Sequence, residues 1–267
     1  MNAFLIVMRR ALVALVSIFV VSGCSKPTTV PRLSTMHVLF VGNSLTFAND
    51  LPKMVADCAR ARNVIIAHDM YAPGGYTLSQ HAVDGRLAAK IANGGWDYVV
   101  LQEQSILPAL PQERVASEVY PFAKLLADAV KASNPVAQVV FYMTMGKKDG
   151  EQEFAKTYPM LSNYDWMQER LAESYTVMAE QNSGLLAPVG RVWQRVRKER
   201  PTLELYADNT HPNVTGTYLA ALVFFSLLCK GNPIGLPHPQ GIDDATAAYL
   251  QKTVSIVLAD QNAAART

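Results

Sequence analysis

Residues 37–46 read HVLFVGNSLT, a mostly apolar run of five residues followed directly by glycine, asparagine and serine. A short apolar run bounded by polar turn residues is typical of a strand buried on both faces of a parallel sheet. Similar runs recur along the chain, and helix-length amphipathic segments separate them. The predicted strands span residues 37–41, 64–68, 98–102, 138–142 and, more weakly patterned, 185–188; the predicted helices lie near residues 51–62, 78–93, 114–133, 165–181 and 213–229. This alternation predicts an α/β fold, a three-layer α/β/α sandwich with a parallel, flavodoxin-like sheet.

The composition fits one folded domain and excludes several classes of function. Half of the 267 residues are hydrophobic and 17% are charged, so the chain can fill a core and is not disordered. The 24 Lys and Arg residues include Arg9 and Arg10, so residues 24–267 carry 22 basic and 22 acidic side chains. A neutral chain lacks the basic footprint of nucleic-acid binding, and no nucleic-acid partner is expected. Three cysteines without a CxxC pair cannot form a disulfide framework or a Cys-rich zinc site.

Residues 1–23 are predicted to be a lipoprotein signal peptide. The run ALVALVSIFVV at residues 11–21 follows two arginines and is too short to span a bilayer, which takes about 20 residues. Residues 21–24, VSGC, resemble a bacterial lipobox, which would make Cys24 the lipid-modified first residue of the mature protein. A plain signal peptide with an incidental cysteine is the alternative, and Met8 is an alternative start.

The residues after the leader predict where the protein works. Residues 24–35 are polar and contain proline, which suits an extended tether to a domain predicted to span residues 36–267. Ser25 after Cys24, with no aspartate there, resembles the sorting pattern of Gram-negative outer-membrane lipoproteins. We therefore expect a protein of the bacterial cell envelope, anchored by lipid to the outer membrane and facing the periplasm.

Polar and glycine residues follow the predicted strands, where α/β proteins place their sites. Ser44 comes three residues after the first strand, Gly75 follows the second, and Gln104 follows the third. The sequence DNTH at residues 208–211 lies directly before the last predicted helix. Taken singly, each feature has a structural explanation: a serine caps helices, glycines make turns, and a lone histidine is usually held in the structure.

Together these blocks resemble the SGNH (GDSL-like) hydrolase superfamily. GNSL at residues 42–45 matches the first block, with Asn43 in place of the usual aspartate, Gly75 matches the second, and DNTH at 208–211 matches the last. The third block departs from the family pattern Gly-x-Asn-Asp, and Gln104 falls where the asparagine should be. The stretches WDYVVLQEQS, FYMTMG, APVG and HPNVTGTYLAA look like a bacterial lipoprotein branch of the superfamily in which this glutamine is usual.

The resemblance implies a serine-hydrolase site without a metal or an organic cofactor. Ser44 would be the nucleophile, His211 its base, and Asp208 the group that orients the imidazole. The backbone N–H groups of Ser44 and Gly75 and the side-chain amide of Gln104 would form the oxyanion hole.

The implied function is a serine esterase acting on a small-molecule or glycan ester, for example an O-acetyl group on a glycan. The alternative is a catalytically silent envelope lipoprotein that uses the fold to bind a glycan or a partner. The complete set of Ser44, Asp208 and His211 favours the enzyme, and the unusual third block favours the alternative.

Several residues have two interpretations at this stage. Gln102 could replace Gln104 as the oxyanion donor, but Gln102 is the predicted last residue of its strand, where sheet neighbours tend to hold a side chain. Glu103 is either a second carboxylate near the site or a solvated or structural residue. Cys58 and Cys229 lie on helices predicted to share one face of the sheet, so they could form a disulfide or remain two buried thiols.

Overall fold

Five parallel strands form one sheet in the computed structural model, which describes residues 35–264. The strands are β1 (Thr35–Val41), β2 (Ile65–Tyr71), β3 (Tyr98–Leu101), β4 (Gln138–Tyr142) and β5 (Leu185–Ala187). Their order in the sheet is β2-β1-β3-β4-β5, the flavodoxin-like order, and every neighbouring pair is parallel. The predicted fold class is therefore confirmed, with all five predicted strands present.

Helices cover both faces of the sheet, which is why the strands are apolar throughout. The face that carries Val38 and Phe40 is covered by α2 (Leu51–Arg60), α8 (Val189–Glu199), α9 (Val214–Leu228) and α10 (Asp244–Ala264). The face that carries Leu39 and Val41 is covered by α3 (Leu78–Val83), α4 (Gly85–Ala92), α5 (Gln112–Glu118), α6 (Tyr120–Ser133) and α7 (Tyr164–Gln181). Successive side chains of a strand point to opposite faces, and these four residues of β1 are completely buried.

The helix pattern differs from the sequence prediction in two ways. Predicted helices 78–93 and 114–133 are each divided, the first at Asp84, whose backbone is extended and whose side chain caps α4. The second divides before Pro121, because proline has no N–H to continue the hydrogen bonding of a helix. Helices α8 and α10 were not predicted, although the apolar spacing of Val189, Val192 and Val196 is helical.

The carboxyl ends of the first three strands lie level with one another. Val41, the last residue of β1, is paired with Tyr71 of β2 and with Leu101 of β3, and both partners are also the last residues of their strands. A short helix, α1 (Ser44–Phe47), begins three residues beyond the end of β1. The segments that follow β1, β2 and β3 therefore start side by side at one edge of the sheet.

Cys58 on α2 and Cys229 at the end of α9 lie on the same face of the sheet, as expected from the sequence, and both are free thiols. Burial raises the pKa of Cys58 to about 12 and that of Cys229 to about 11, so neither forms an appreciable thiolate at neutral pH. Cys24, the predicted lipidation site, and the predicted signal peptide lie outside the described residues. In the part of the chain that the structure describes, no helix has the length and apolarity needed to cross a membrane.

Candidate active site

Ser44 is the first residue of α1 and lies at the carboxyl end of β1. The side-chain oxygen of Asn43 accepts a hydrogen bond from the N–H of Leu45 at 3.2 Å and so caps the helix. Because the first N–H groups of a helix have no partner within it, the N–H of Ser44 is available, and it has no partner among residues 35–264. The side chain of Asn43, which the family pattern would make an aspartate, thus shapes the turn that presents Ser44.

His211 lies between Ser44 and Asp208. Its Nε2 is 2.9 Å from the Ser44 hydroxyl oxygen, and its Nδ1 is 2.8 Å from Oδ2 of Asp208. The other carboxylate oxygen of Asp208 accepts the backbone N–H of His211 at 2.7 Å and that of Thr210 at 2.6 Å. The backbone N–H of His211 is the main reason that the pKa of Asp208 is lowered to about 2. The structure thus brings these three sequence-predicted residues together, and the ionised carboxylate of Asp208 lies within hydrogen-bond distance of the His211 imidazole.

Two neighbouring segments hold the turn at residues 208–211 in place. Asn209 accepts the N–H of Lys148 on its backbone oxygen at 2.9 Å and the N–H of Asp149 on its side chain at 2.8 Å. From the Ser44 side, the amide of Asn49 donates to the carbonyl of Pro212 at 3.0 Å and to the Thr217 hydroxyl at 2.8 Å.

Sequence reasoning missed Asn49. Its φ of 50° is left-handed, a conformation that asparagine adopts more readily than most residues, but nothing in the sequence marks its distant partners.

Gln102 is completely buried beneath the Ser44 segment. Its Oε1 accepts the N–H of Asn43 at 2.9 Å and the hydroxyl of Thr46 at 2.8 Å, and its Nε2 donates to the side-chain oxygen of Asn43 at 3.0 Å. A Cβ atom on Gly42 would lie 2.4 Å from Oε1 of Gln102, so glycine is required for this close approach. The amide of Gln102 is therefore fully used inside the protein, in agreement with the structural interpretation of this residue.

Gln104 and Gly75 carry donors that the protein leaves free. The Oε1 of Gln104 accepts the N–H of Ile106 at 2.7 Å and that of Leu107 at 3.2 Å, which fixes the side chain while its Nε2 has no partner within residues 35–264. Gly75 is exposed with a φ of 72°, and within the same range its N–H has no partner either. Both residues stand on loops that leave the level ends of β2 and β3.

Two further titratable residues beneath the site are buried rather than solvated. Glu103 has no exposed surface, and burial raises its pKa to about 8 against the opposing effect of the N–H groups of Gln104 and Leu78. His81 is 1% exposed, its Nε2 is 2.8 Å from the carbonyl oxygen of Gly42, and burial lowers its pKa. Across residues 35–264, no group of three His, Cys, Asp or Glu side chains is placed to hold a metal ion.

Solved structures similar to this chain share its fold. A DUF4886 family protein from Bacteroides uniformis matches with a TM-score of 0.72 at 18% identity, over 84% of this chain and 95% of that one. A candidate SGNH hydrolase from Slackia heliotrinireducens matches with a TM-score of 0.60 at 32% identity, over 73% of this chain and all of that one. The acetyl xylan esterase AlAXEase matches with a TM-score of 0.54 at 14% identity, over 72% of this chain and all of that one.

The three matches carry different weight. At 18% and 14% identity, the first and the third show the fold alone. No family model matches the chain, and no curated protein matches it in sequence. The 32% identity over the whole length of the Slackia protein, together with the shared fold, establishes the family. The chain belongs to the SGNH hydrolase superfamily.

Proposed function

We propose that this protein is a serine esterase that forms an acyl-enzyme at Ser44. One observation carries the proposal: the continuous hydrogen-bonded chain from Ser44 through His211 to Asp208, with distances of 2.9 and 2.8 Å. A nucleophile, a base and a group that orients the base, all within hydrogen-bond reach, are the arrangement that activates a serine. A protein that only binds a ligand has no need for this alignment.

The reaction follows from the roles of these groups. Nε2 of His211 takes the proton of Ser44 as its oxygen attacks the ester carbonyl carbon, and the ionised Asp208 stabilises the imidazolium. The carbonyl electrons move to the oxygen, which the free donors of Ser44, Gly75 and Gln104 stabilise. When the tetrahedral intermediate collapses, the C–O bond breaks and His211 gives its proton to the departing alcohol. Water then attacks the acyl carbon as His211 takes its proton, the bond between the acyl carbon and the Ser44 oxygen breaks, and His211 returns the proton to Ser44 as the carboxylic acid leaves. No step requires a metal or an organic cofactor.

The open setting of the site favours an ester of a bulky alcohol. The side chains of His211 and Asp208 are 38% and 56% exposed, so an alcohol portion as large as a sugar chain can reach them from solvent. We therefore propose an O-acetyl group on a glycan as the substrate class, and the fold shared with an acetyl xylan esterase is compatible with it.

A panel of acetylated sugars, short aryl esters and long-chain aryl esters tests this function. We expect Ser44-dependent release of acetate from the acetylated sugars and from aryl acetates. If the natural substrate is an acetyl ester, kcat/KM should fall as the acyl chain lengthens. Absence of turnover on every ester would overturn the esterase. Preference for long acyl chains would overturn the acetyl assignment alone.

We further propose that the protein is anchored in the cell envelope by lipid on Cys24. The support is the apolar leader and the VSGC sequence at residues 21–24. Expressed with its leader in a Gram-negative host, the protein should fractionate with the outer membrane and carry diacylglycerol and acyl groups on Cys24, because the cysteine thiol is the lipid acceptor. Cys24→Ala should accumulate as a precursor of full mass. Mass spectrometry that finds an unmodified mature N-terminus in the wild type would contradict the anchor.

A further inference from the structure

Glu103 is a buried carboxylate between the two loops that carry the free donors. Its Oε1 accepts the N–H of Gln104 at 2.6 Å and the N–H of Leu78 at 3.1 Å, and its Oε2 accepts the same N–H of Leu78 at 3.2 Å. Gln104 carries the free side-chain donor, and Leu78 begins α3 three residues after Gly75. One carboxylate therefore joins the loop after β2 to the loop after β3.

The surroundings of Glu103 offer no opposite charge. Among residues 35–264, no Lys, Arg or His side chain forms an ion pair with it. The titratable group that faces it is the Tyr175 hydroxyl of α7, which accepts the N–H of Glu103 at 3.1 Å. His81 of α3, one turn after Leu78, is directed instead at the carbonyl of Gly42, with its Nε2 2.8 Å from that oxygen. Burying a carboxylate without a counter-ion is costly, and within the described part of the chain the compensation comes from the backbone N–H groups of Gln104 and Leu78.

The N-terminus of α3 does not need Glu103 as its cap. Thr77 already accepts the N–H of Gln80 on its hydroxyl, and the Gln80 side chain accepts the N–H of Thr77 in return. This capping box satisfies the helix start locally. The bond from Leu78 to Glu103 therefore ties the start of α3 to the loop after β3 in addition to the local cap.

We propose that Glu103 is a positioning residue for the oxyanion hole, whose carboxylate holds the Gly75 loop and Gln104 at a fixed separation. The inference rests on the proposed esterase function and extends it. Oxyanion donors act by being aimed in advance at the position where charge develops, so a shift in their separation reduces kcat more than it changes substrate binding.

The ionisation of Glu103 should then appear in the pH dependence. An ionised carboxylate accepts N–H bonds more strongly than a protonated one, so turnover should rise as Glu103 ionises, near pH 8. Stability should move the opposite way. A carboxyl whose pKa rises from its usual 4.5 to about 8 on folding favours the folded state fully below about pH 4.5, and this contribution is lost as the pH rises to 8.

A double-mutant cycle with Gln104 tests the inference. Glu103→Gln keeps the shape of the side chain but places an amide N–H against a backbone N–H. We expect kcat for an aryl acetate to fall about 10–100-fold while KM stays within about threefold. This loss is smaller than that for removing an oxyanion donor, because the donors are displaced and not removed. In the Gln104→Ala background the same substitution should cost clearly less, about threefold to fivefold, because only the Gly75 donor is then left to be displaced.

The controls separate positioning from a purely structural role. Glu113→Gln, at an exposed position on α5, should leave kcat unchanged. After subtraction of the Ser44→Ala rate, the rise in kcat near pH 8 should be present in the wild type and absent in Glu103→Gln. If Glu103→Gln does not fold, the cycle is run with Glu103→Asp, whose shorter side chain cannot reach both N–H groups.

Two results would overturn the inference: equal losses of kcat in both backgrounds, or a pH profile shared by wild type and variant. A wild type without Ser44-dependent turnover would refute the esterase instead, which keeps the two failures distinct.

Discussion

Ser44→Ala is expected to lower kcat for short-chain aryl esters by about 10⁴–10⁶-fold, the loss typical of removing a serine nucleophile. The Ser44 hydroxyl is the nucleophile of the proposed reaction, and its oxygen lies 2.9 Å from Nε2 of His211. The serine contributes little to packing, because its side chain lies at an open edge of the sheet. Steady-state kinetics of the purified domain measures the loss of kcat, and thermal denaturation checks that its stability is unchanged.

The controls for this variant come from the same chain. Ser117→Ala changes an exposed serine on α5 whose hydroxyl contacts only helix carbonyls, and it should retain full activity. His211→Ala should match the loss of Ser44→Ala, and the double variant should lose nothing more, because the two residues act as a unit. Normal turnover by Ser44→Ala would refute the assignment of the nucleophile.

Gln104→Ala is expected to lower kcat by about 10²–10³-fold, the usual cost of losing one oxyanion donor. Its Oε1 is held by two backbone N–H groups, which leaves Nε2 free to meet the oxyanion. The N–H groups of Ile106 and Leu107 lose their acceptor, but they lie in a half-buried loop where water can replace it, so the melting temperature should fall much less than in Gln102→Ala. Kinetics with aryl acetates, combined with thermal denaturation, provides the measurement.

Gln102→Ala is the matched comparison, because it removes the same side chain two residues earlier. This change leaves the N–H of Asn43 and the hydroxyl of Thr46 buried without their acceptor. Each buried group left unpaired costs about 1–3 kcal/mol, so for the two groups we expect a loss of about 2–6 kcal/mol in the free energy of unfolding. If Gln102→Ala removed activity while Gln104→Ala removed stability, the alignment of the third block would be wrong.

The sequence predicted the fold because its strands are buried on both faces. Runs such as YVVL of β3 are apolar without alternation, and the helices between them fix the parallel order. The position of the site was predicted from the same pattern, because the segments that follow parallel strands begin at the same edge of the sheet. The divided helices were not predicted, because Asp84 and Pro121 act on backbone geometry within segments whose apolar spacing is continuous.

The residues that hold the site in place could not be predicted, because their roles depend on burial and on contacts between residues distant in sequence. Glu103 reads as either a solvated or a structural acid, and only the covering loops show that it is completely buried. Asn49 and Pro212 are 163 residues apart, so no local pattern indicates that they meet. The hydrogen bonds of Gln102 are likewise invisible in the sequence. Both its amide oxygen and its amide nitrogen are paired because Gly42 lets the two segments approach closely.

Fluorophosphonate labelling of the purified domain, followed by peptide mass spectrometry, tests the central claim most directly. A fluorophosphonate phosphonylates only a serine that a neighbouring base has activated. The account predicts one adduct per molecule, on Ser44, in the wild type and in Gln102→Ala protein that remains folded, and none in His211→Ala. An unlabelled folded wild type, or an adduct on any other residue, would contradict a serine esterase acting through Ser44.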